Sequence, residues 1–236
     1  MRIEVPHAWP ADEAEAVALQ NRLRNAADHA GPGPQQPRLV AGLDVAYRGG
    51  NGAVGDEVAA AVVVVDAGTL APVEEATAVG RATFPYVSGL FAFRELPVLI
   101  EALRKLRTTP DLLLCDGQGL AHTRRFGLAC HLGVITGIST AGVAKTPYPA
   151  AYQAGHLGRA RGSYADLKGG RDGMTTLGRA LRTQDGVKPV YVSTGHRINL
   201  DTACRHVLAL APKYRLPETT RLADRLSRDA LALALG

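Results

Sequence analysis

Apolar and polar positions along this chain switch between two periods, and the switches divide it into elements. Glu57–Asp66, EVAAAVVVVD, is an almost unbroken apolar run between acids, the mark of a strand buried on both faces. Leu112–Cys115 is a shorter run of the same kind, set between Asp111 and Asp116. Residues 38–48 (RLVAGLDVAYR) are strand-like, and residues 72–84 alternate in part. Short turns join the runs at 38–48, 57–66 and 72–84, which predicts an antiparallel meander. Residues 138–145, 174–181 and 189–193 complete the expected strands, with turns at 182–188, around an Asp-Gly pair, and at 194–197.

Helical spacing occupies the intervals. Residues 11–29 form an amphipathic helix with Val17, Leu19, Leu23 and Ala26 toward one side. Residues 91–107 carry Leu99, Leu103 and Leu106 on one face, with Pro97 at an early turn or a kink. Further helices are expected from Phe126, from Asn199 to Leu210 and over residues 218–235. Residues 146–173, rich in Gly, Pro, Tyr and charge, read as a long surface excursion. This order predicts a single α/β domain with a mixed central sheet flanked by helices.

Composition narrows the picture only a little. A 46% hydrophobic share in 236 residues is ample for a core, and a net charge of +5 is compatible with a polyanionic partner. Aromatic residues, at 5%, are too few for a broad base-stacking platform. Cys115, Cys130 and Cys204 are odd in number and form no Cys-x-x-Cys, so reduced buried thiols in a cytoplasmic protein are expected. The first residues lack the apolar stretch of a secretory signal, and no segment reaches membrane-spanning length.

Candidate chemistry sits at strand ends. The apolar run at 112–115 ends in Asp116-Gly117-Gln118-Gly119, followed by His122, Thr123, Arg124 and Arg125. This is a carboxylate, a pliant turn and a basic cluster where open α/β sheets bind ligands. An ordinary turn is the plain alternative, and a dinucleotide fingerprint is incomplete because His122 stands where its third glycine belongs. Asp44 lies inside an apolar strand, which is costly unless it pairs with an arginine or coordinates a metal. Glu95 opens a helical segment, Lys145 ends a strand and Asp224 falls in the last helix. Carboxylates converging from separate elements suit Mg²⁺, with Lys145 and the basic turn to steady a phosphate. Spacing alone leaves a metal-dependent hydrolase and a nucleotide-binding domain both open.

The segments VAGLDVAY, FPYVSGLFAFRELP, DGQGLAHTRRFGLACHLG, GVAKTPY, STGHRINLDTA and YRLPETTRLAD, in this order, strongly resemble the endonuclease V (deoxyinosine 3′ endonuclease) family. The resemblance implies a ribonuclease H-like fold and hydrolysis of the second phosphodiester bond 3′ to deoxyinosine. The reaction would depend on Mg²⁺, with Mn²⁺ as a substitute, and leave a nick. It implies DNA repair, with DNA that contains deoxyinosine as the partner; a monomer is expected, although the sequence does not fix the oligomeric state. Inosine-containing RNA is the alternative substrate, and a lesion-binding module without catalysis is a further alternative. Asp44, Asp116 and Glu95 match the metal-binding acids. Lys145, His122 and Asp224 match other active-site positions. Tyr86 matches the tyrosine of the wedge that fills the gap behind an everted base. Gly89, Gly117, Gln118, Gly119, Arg124 and Gly142 match positions near the substrate. Three departures, PYVSG for PYIPG, His122-Thr123-Arg124 for His-Pro-Arg and GVAKT for GVAKS, spare every matched carboxylate.

Overall fold

In the computed structural model, residues 1–48, 52–147, 156–169 and 173–234 are described. The strands are β1 (Leu39–Tyr47), β2 (Glu57–Asp66), β3 (Pro72–Arg81), β4 (Leu112–Cys115), β5 (Ser139–Ala144), β6 (Tyr164–Gly169), β7 (Thr175–Leu181) and β8 (Val190–His196). The helices are α1 (Glu13–Leu23), α2 (Phe91–Arg104), α3 (Leu128–Thr136), α4 (Leu200–Ala209) and α5 (Glu218–Leu233). All eight strands join one sheet in the order β3-β2-β1-β4-β5-β8-β7-β6. The expected meander is present, with β1 and β3 both antiparallel to β2, while β1, β4 and β5 run parallel. This is the mixed central sheet that the element order anticipates, in the ribonuclease H-like form that the resemblance implies.

Strand alternation then sorts side chains between two apolar layers. Ala41 and Leu43 of β1, with Leu113 and Cys115 of β4, face the layer that holds Leu96, Leu99 and Leu103 of α2 and Leu132 of α3. Val40, Leu112, Leu114 and Val143 face the opposite layer with Ala203 and Val207 of α4 and Ala223 of α5. The residues of β2 from Val58 to Val65 are buried throughout, as their unbroken apolar run requires. All three cysteines are free and buried. Among the described residues, no helix is long and apolar enough to cross a membrane.

Some expectations need correction. Within residues 146–173, read as one excursion, residues 164–169 form β6, paired antiparallel to β7. Only Leu167 of that edge strand is buried, so no alternating pattern announced it. The rest of the excursion lies in part outside the described residues, as does part of the turn read at 49–56. The turn read at 194–197 is largely strand, because β8 continues to His196 with every residue buried. The first helix ends at Leu23 in a 3₁₀ turn, Arg24–Ala26, which leaves Ala26 exposed, and its buried side chains are Ala16, Leu19 and Gln20. Pro97 lies inside α2.

His131 of α3 is fully buried, ringed by His7, Trp9, Phe93 and Phe126, with its Nε2 at 2.8 Å from Nε2 of His7. Burial, with the neighbouring His7, lowers its pKa to about 3. The unfolded chain therefore takes up a proton at His131 below its ordinary pKa while the folded chain does not, so stability falls as pH drops. Between about pH 7.5 and pH 5, the native protein is expected to lose about 2 kcal/mol more than His131→Gln. Urea unfolding of both proteins at the two pH values checks this, since every other titrating group is common to them.

Candidate active site

The site begins with the register of two parallel strands. Leu43 pairs with Cys115, and the Asp116 amide donates to the Leu43 carbonyl at 3.3 Å. The next residues, Asp44 and Asp116, therefore stand side by side where β1 and β4 run out, on strands about 4.8 Å apart. Both fall on the α5 side of the sheet, as does Lys145, one residue past the end of β5. Lys145 Nζ lies 2.6 Å from Asp116 Oδ2 and 3.6 Å from Asp224 Oδ1 of α5.

Helix α5 reaches this point because Gly42 has no side chain. A Cβ there would sit 2.2 Å from the Thr219 carbonyl carbon, so the first turn of α5 rests directly on β1. The following turns carry Asp224 and Ser227 over Asp44, and Ser227 Oγ donates to Asp44 Oδ2 at 2.7 Å. Gly42→Ala must push helix and strand apart. The expected result is a loss of about 2–4 kcal/mol in stability, read by thermal unfolding, with activity lost as Asp224 retreats.

The remaining acid arrives from the other face. Glu95 of α2 is 4% exposed and accepts a short hydrogen bond from the Tyr47 hydroxyl at the end of β1. Arg94 beside it lies over the Tyr47 ring, pairs with Asp56 at 2.7 Å and donates to the carbonyls of Ala53 and Phe84. Glu95 is thus not a helix-start acid serving the dipole, but a buried carboxyl held by Tyr47, whose ring Arg94 covers.

The electrostatics follow from burial and crowding. Desolvation, reinforced by Asp116 and Asp224 against the Ser227 hydrogen bond and Lys145, raises the Asp44 pKa to about 6. Burial and the charges of Asp44 and Asp116 push Glu95 well above its usual range, with the Tyr47 hydrogen bond opposing. Burial works against the Lys145 charge, but Asp116, Asp44 and Asp224 outweigh it and hold the pKa above its ordinary value. Of the four carboxyl groups, Asp44, Asp116 and Asp224 surround Lys145, Asp224 also pairs with the exposed Arg228, and Arg94 stands beside Glu95. The cluster is short of positive charge and rich in oxygen donors, which fits a hard divalent cation. Among the described residues no group of three His, Cys, Asp or Glu side chains is already drawn into a metal cage.

These residues line one cavity of about 440 Å³, with Gly117, Gln118, His122 and Gly89 on its wall and Tyr86, 63% exposed, at its rim. Gly119, Arg124 and Gly142 stand behind that wall. Gly142 leaves room for the 117–119 turn, since a Cβ on it would lie 2.5 Å from the Gly117 carbonyl oxygen. His122 is buried and turned away from the acids. Its Nε2 bonds the Gly89 carbonyl, its Nδ1 accepts from the Arg124 amide, and burial lowers its pKa to about 4.

Sequence reasoning missed Ser227, Tyr47 and Gln20. Ser227 follows Asp224 by three residues, which puts both on one helix face, and that spacing was the available signal. Asp44 has no arginine partner in the ion pairs of the described residues, and Ser227 takes that place.

Residues 20–225 match the family model described as Endonuclease V. The chain is 55% identical over 231 residues to an endonuclease V of Streptomyces avermitilis, covering 97% of this chain and 96% of that one. The crystal structure of an endonuclease V from the same organism superposes with a TM-score of 0.89 at 53% identity, covering all of both chains. An endonuclease V of Ciona intestinalis, solved in complex with a 24mer DNA containing an inosine followed by a ribo-adenosine, superposes at 0.79 with 27% identity over 94% of this chain and 98% of its own.

Proposed function

The chain belongs to the endonuclease V family and is a nuclease, and from that premise we propose that it repairs DNA by hydrolysing the second phosphodiester bond 3′ to deoxyinosine, leaving a nick. One observation carries the reading: Asp44 and Asp116 lie side by side, with Glu95, Asp224 and Lys145, in a cavity whose rim bears an exposed aromatic ring. The Ciona relative's complex with inosine-containing DNA supports the choice of substrate.

Asp44, Asp116 and Glu95 would hold Mg²⁺, or Mn²⁺ in its place. Such an ion activates a water and stabilises the leaving oxygen of a phosphodiester. The chain's own groups do the rest. The Lys145 ammonium, held charged by the surrounding acids, offsets charge on the phosphate being cut. Tyr86 stacks into the gap left by the base, and the cavity beside Gly117 and Gln118 accepts the everted purine. Eversion costs a few kcal/mol and least where pairing is already weak, which favours mispaired inosine. The protein acts as a monomer in the reducing cytoplasm, where Cys115, Cys130 and Cys204 stay free.

A duplex with one deoxyinosine, incubated with and without Mg²⁺ and resolved at single-nucleotide length, tests this. A single Mg²⁺-dependent cut one nucleotide beyond the adjacent 3′ phosphodiester is expected, and a cut elsewhere or none overturns the reading. The ribo-adenosine next to inosine in the Ciona complex favours a second arm. Matched inosine DNA and RNA competing in one reaction decide which is preferred.

A further inference from the structure

Between β3 and α2 the chain runs through an exposed loop that carries Tyr86 and ends at Gly89, whose φ of +81° suits glycine. The Gly89 carbonyl oxygen is an unusually crowded acceptor. Gln20 Nε2 and His122 Nε2 each donate to it at 3.0 Å, and Arg124 Nη2 donates at 2.6 Å. The Gln20 amide also donates to the Phe126 carbonyl at 3.2 Å, and its Oε1 accepts from Arg124 Nε. Both ends of that side chain are therefore engaged, and only one orientation of the amide works, because the reverse would set its oxygen against two carbonyls.

Gln20 is 1% exposed, on a helix whose other buried side chains are Ala16 and Leu19. Burying an amide is unfavourable unless its bonds return the loss, and here they go to the Gly89 end of the loop that carries Tyr86 and to Arg124 and Phe126 behind the cavity wall. The start of the same loop is tied separately, by the Tyr86 amide to the Gly52 carbonyl and by Arg94 to the Phe84 carbonyl. The Tyr86 ring stands edge-on to Phe91, with ring centroids 6.5 Å apart.

We propose that Gln20 is a positioning residue for the substrate-facing loop: it fixes the Gly89 carbonyl and the Arg124 guanidinium together, so that the Tyr86 ring keeps its place at the cavity mouth when a base is drawn out of a duplex. The proposal rests on the reading that the substrate is an everted base. A loop whose far end has lost one of its three donors, with Arg124 less firmly placed, gives way more readily to a restacking duplex. A base already unstacked in a single strand makes no such demand.

The test uses the full chain with Gln20→Met, and with Gln20→Glu as the variant of nearly equal shape that keeps the acceptor for Arg124 but loses the donor to Gly89. Hydrogen exchange without substrate is expected to speed up about tenfold at the Leu90 amide, at the loop end that Gln20 holds, with the separately tied Tyr86 amide and the central strands unchanged. On inosine oligonucleotides, nicking of the duplex is expected to fall about tenfold while nicking of the single strand stays within about twofold. Tyr86→Ala is expected to cost less on the duplex in the Gln20→Met background than in the native chain. Unchanged exchange in the loop, an equal fall on duplex and single strand, or fully multiplicative effects of the two substitutions overturns the proposal. If the native chain nicks neither oligonucleotide, the proposed function fails, and the exchange measurement still decides whether Gln20 holds the loop.

Discussion

Asp44→Asn is expected to lower strand cleavage by roughly a thousandfold or more while leaving the protein more stable than the native chain. The two effects share one cause. Asp44 is held in a half-buried, acid-rich corner where its pKa is raised to about 6, so its charge is unfavourable in the folded protein at neutral pH. For an acid raised in this way the penalty is fully present above the folded pKa and vanishes as pH falls toward the unfolded value. Asn keeps the shape and still accepts from Ser227 Oγ, but it has no charge to bury. The expected gain is of order 1–2 kcal/mol near pH 8, after allowing for the solvent that reaches the cavity, and it fades below about pH 5. The activity loss is the larger effect, because one carboxylate of the proposed cation site has gone. Nicking rates and thermal unfolding on the same preparations check both signs. Cleavage within about tenfold of native would remove Asp44 from the chemistry.

How far these conclusions were legible before the structure depends on where each element sits in the sheet. Central strands were plain, because β2 is buried on both faces and must be apolar along its length. β6 was not, since an edge strand with one buried residue satisfies its backbone without an apolar signature. The acids could be picked out individually, but their convergence depends on register. Asp44 meets Asp116 because Leu43 pairs with Cys115, and no local pattern encodes that pairing. Asp224 comes into reach only because Gly42 lets α5 lie on β1, a contact between residues far apart in the chain. His122 drew notice as a histidine beside arginines and proved to bond the Gly89 carbonyl. Gln20 drew none, because a glutamine in an amphipathic helix normally faces water.

Mg²⁺ itself should leave a thermodynamic mark independent of cleavage. A ligand that binds only the folded chain adds about 2.7 kcal/mol at a hundredfold excess over its dissociation constant. For a chain of this size that corresponds to a rise in melting temperature of roughly 5–10 °C. The native protein is expected to show this rise in Mg²⁺, to lose it in EDTA together with all nicking, and Asp116→Asn to show little of it. Lys145 supplies the sharper contrast. Its ammonium already sits 2.6 Å from Asp116 Oδ2 and reaches toward Asp224, so it competes with any cation for the same oxygens. Lys145→Met therefore leaves the acids with less positive charge and is expected to enlarge the Mg²⁺-induced rise, while cleavage falls by roughly a hundredfold for want of a charge on the phosphate. Stronger cation binding with weaker catalysis separates a lysine that serves the reaction from one that only offsets buried acids. If Lys145→Met binds Mg²⁺ more tightly and also cleaves faster, the ammonium is a placeholder for the cation and has no part in the chemistry.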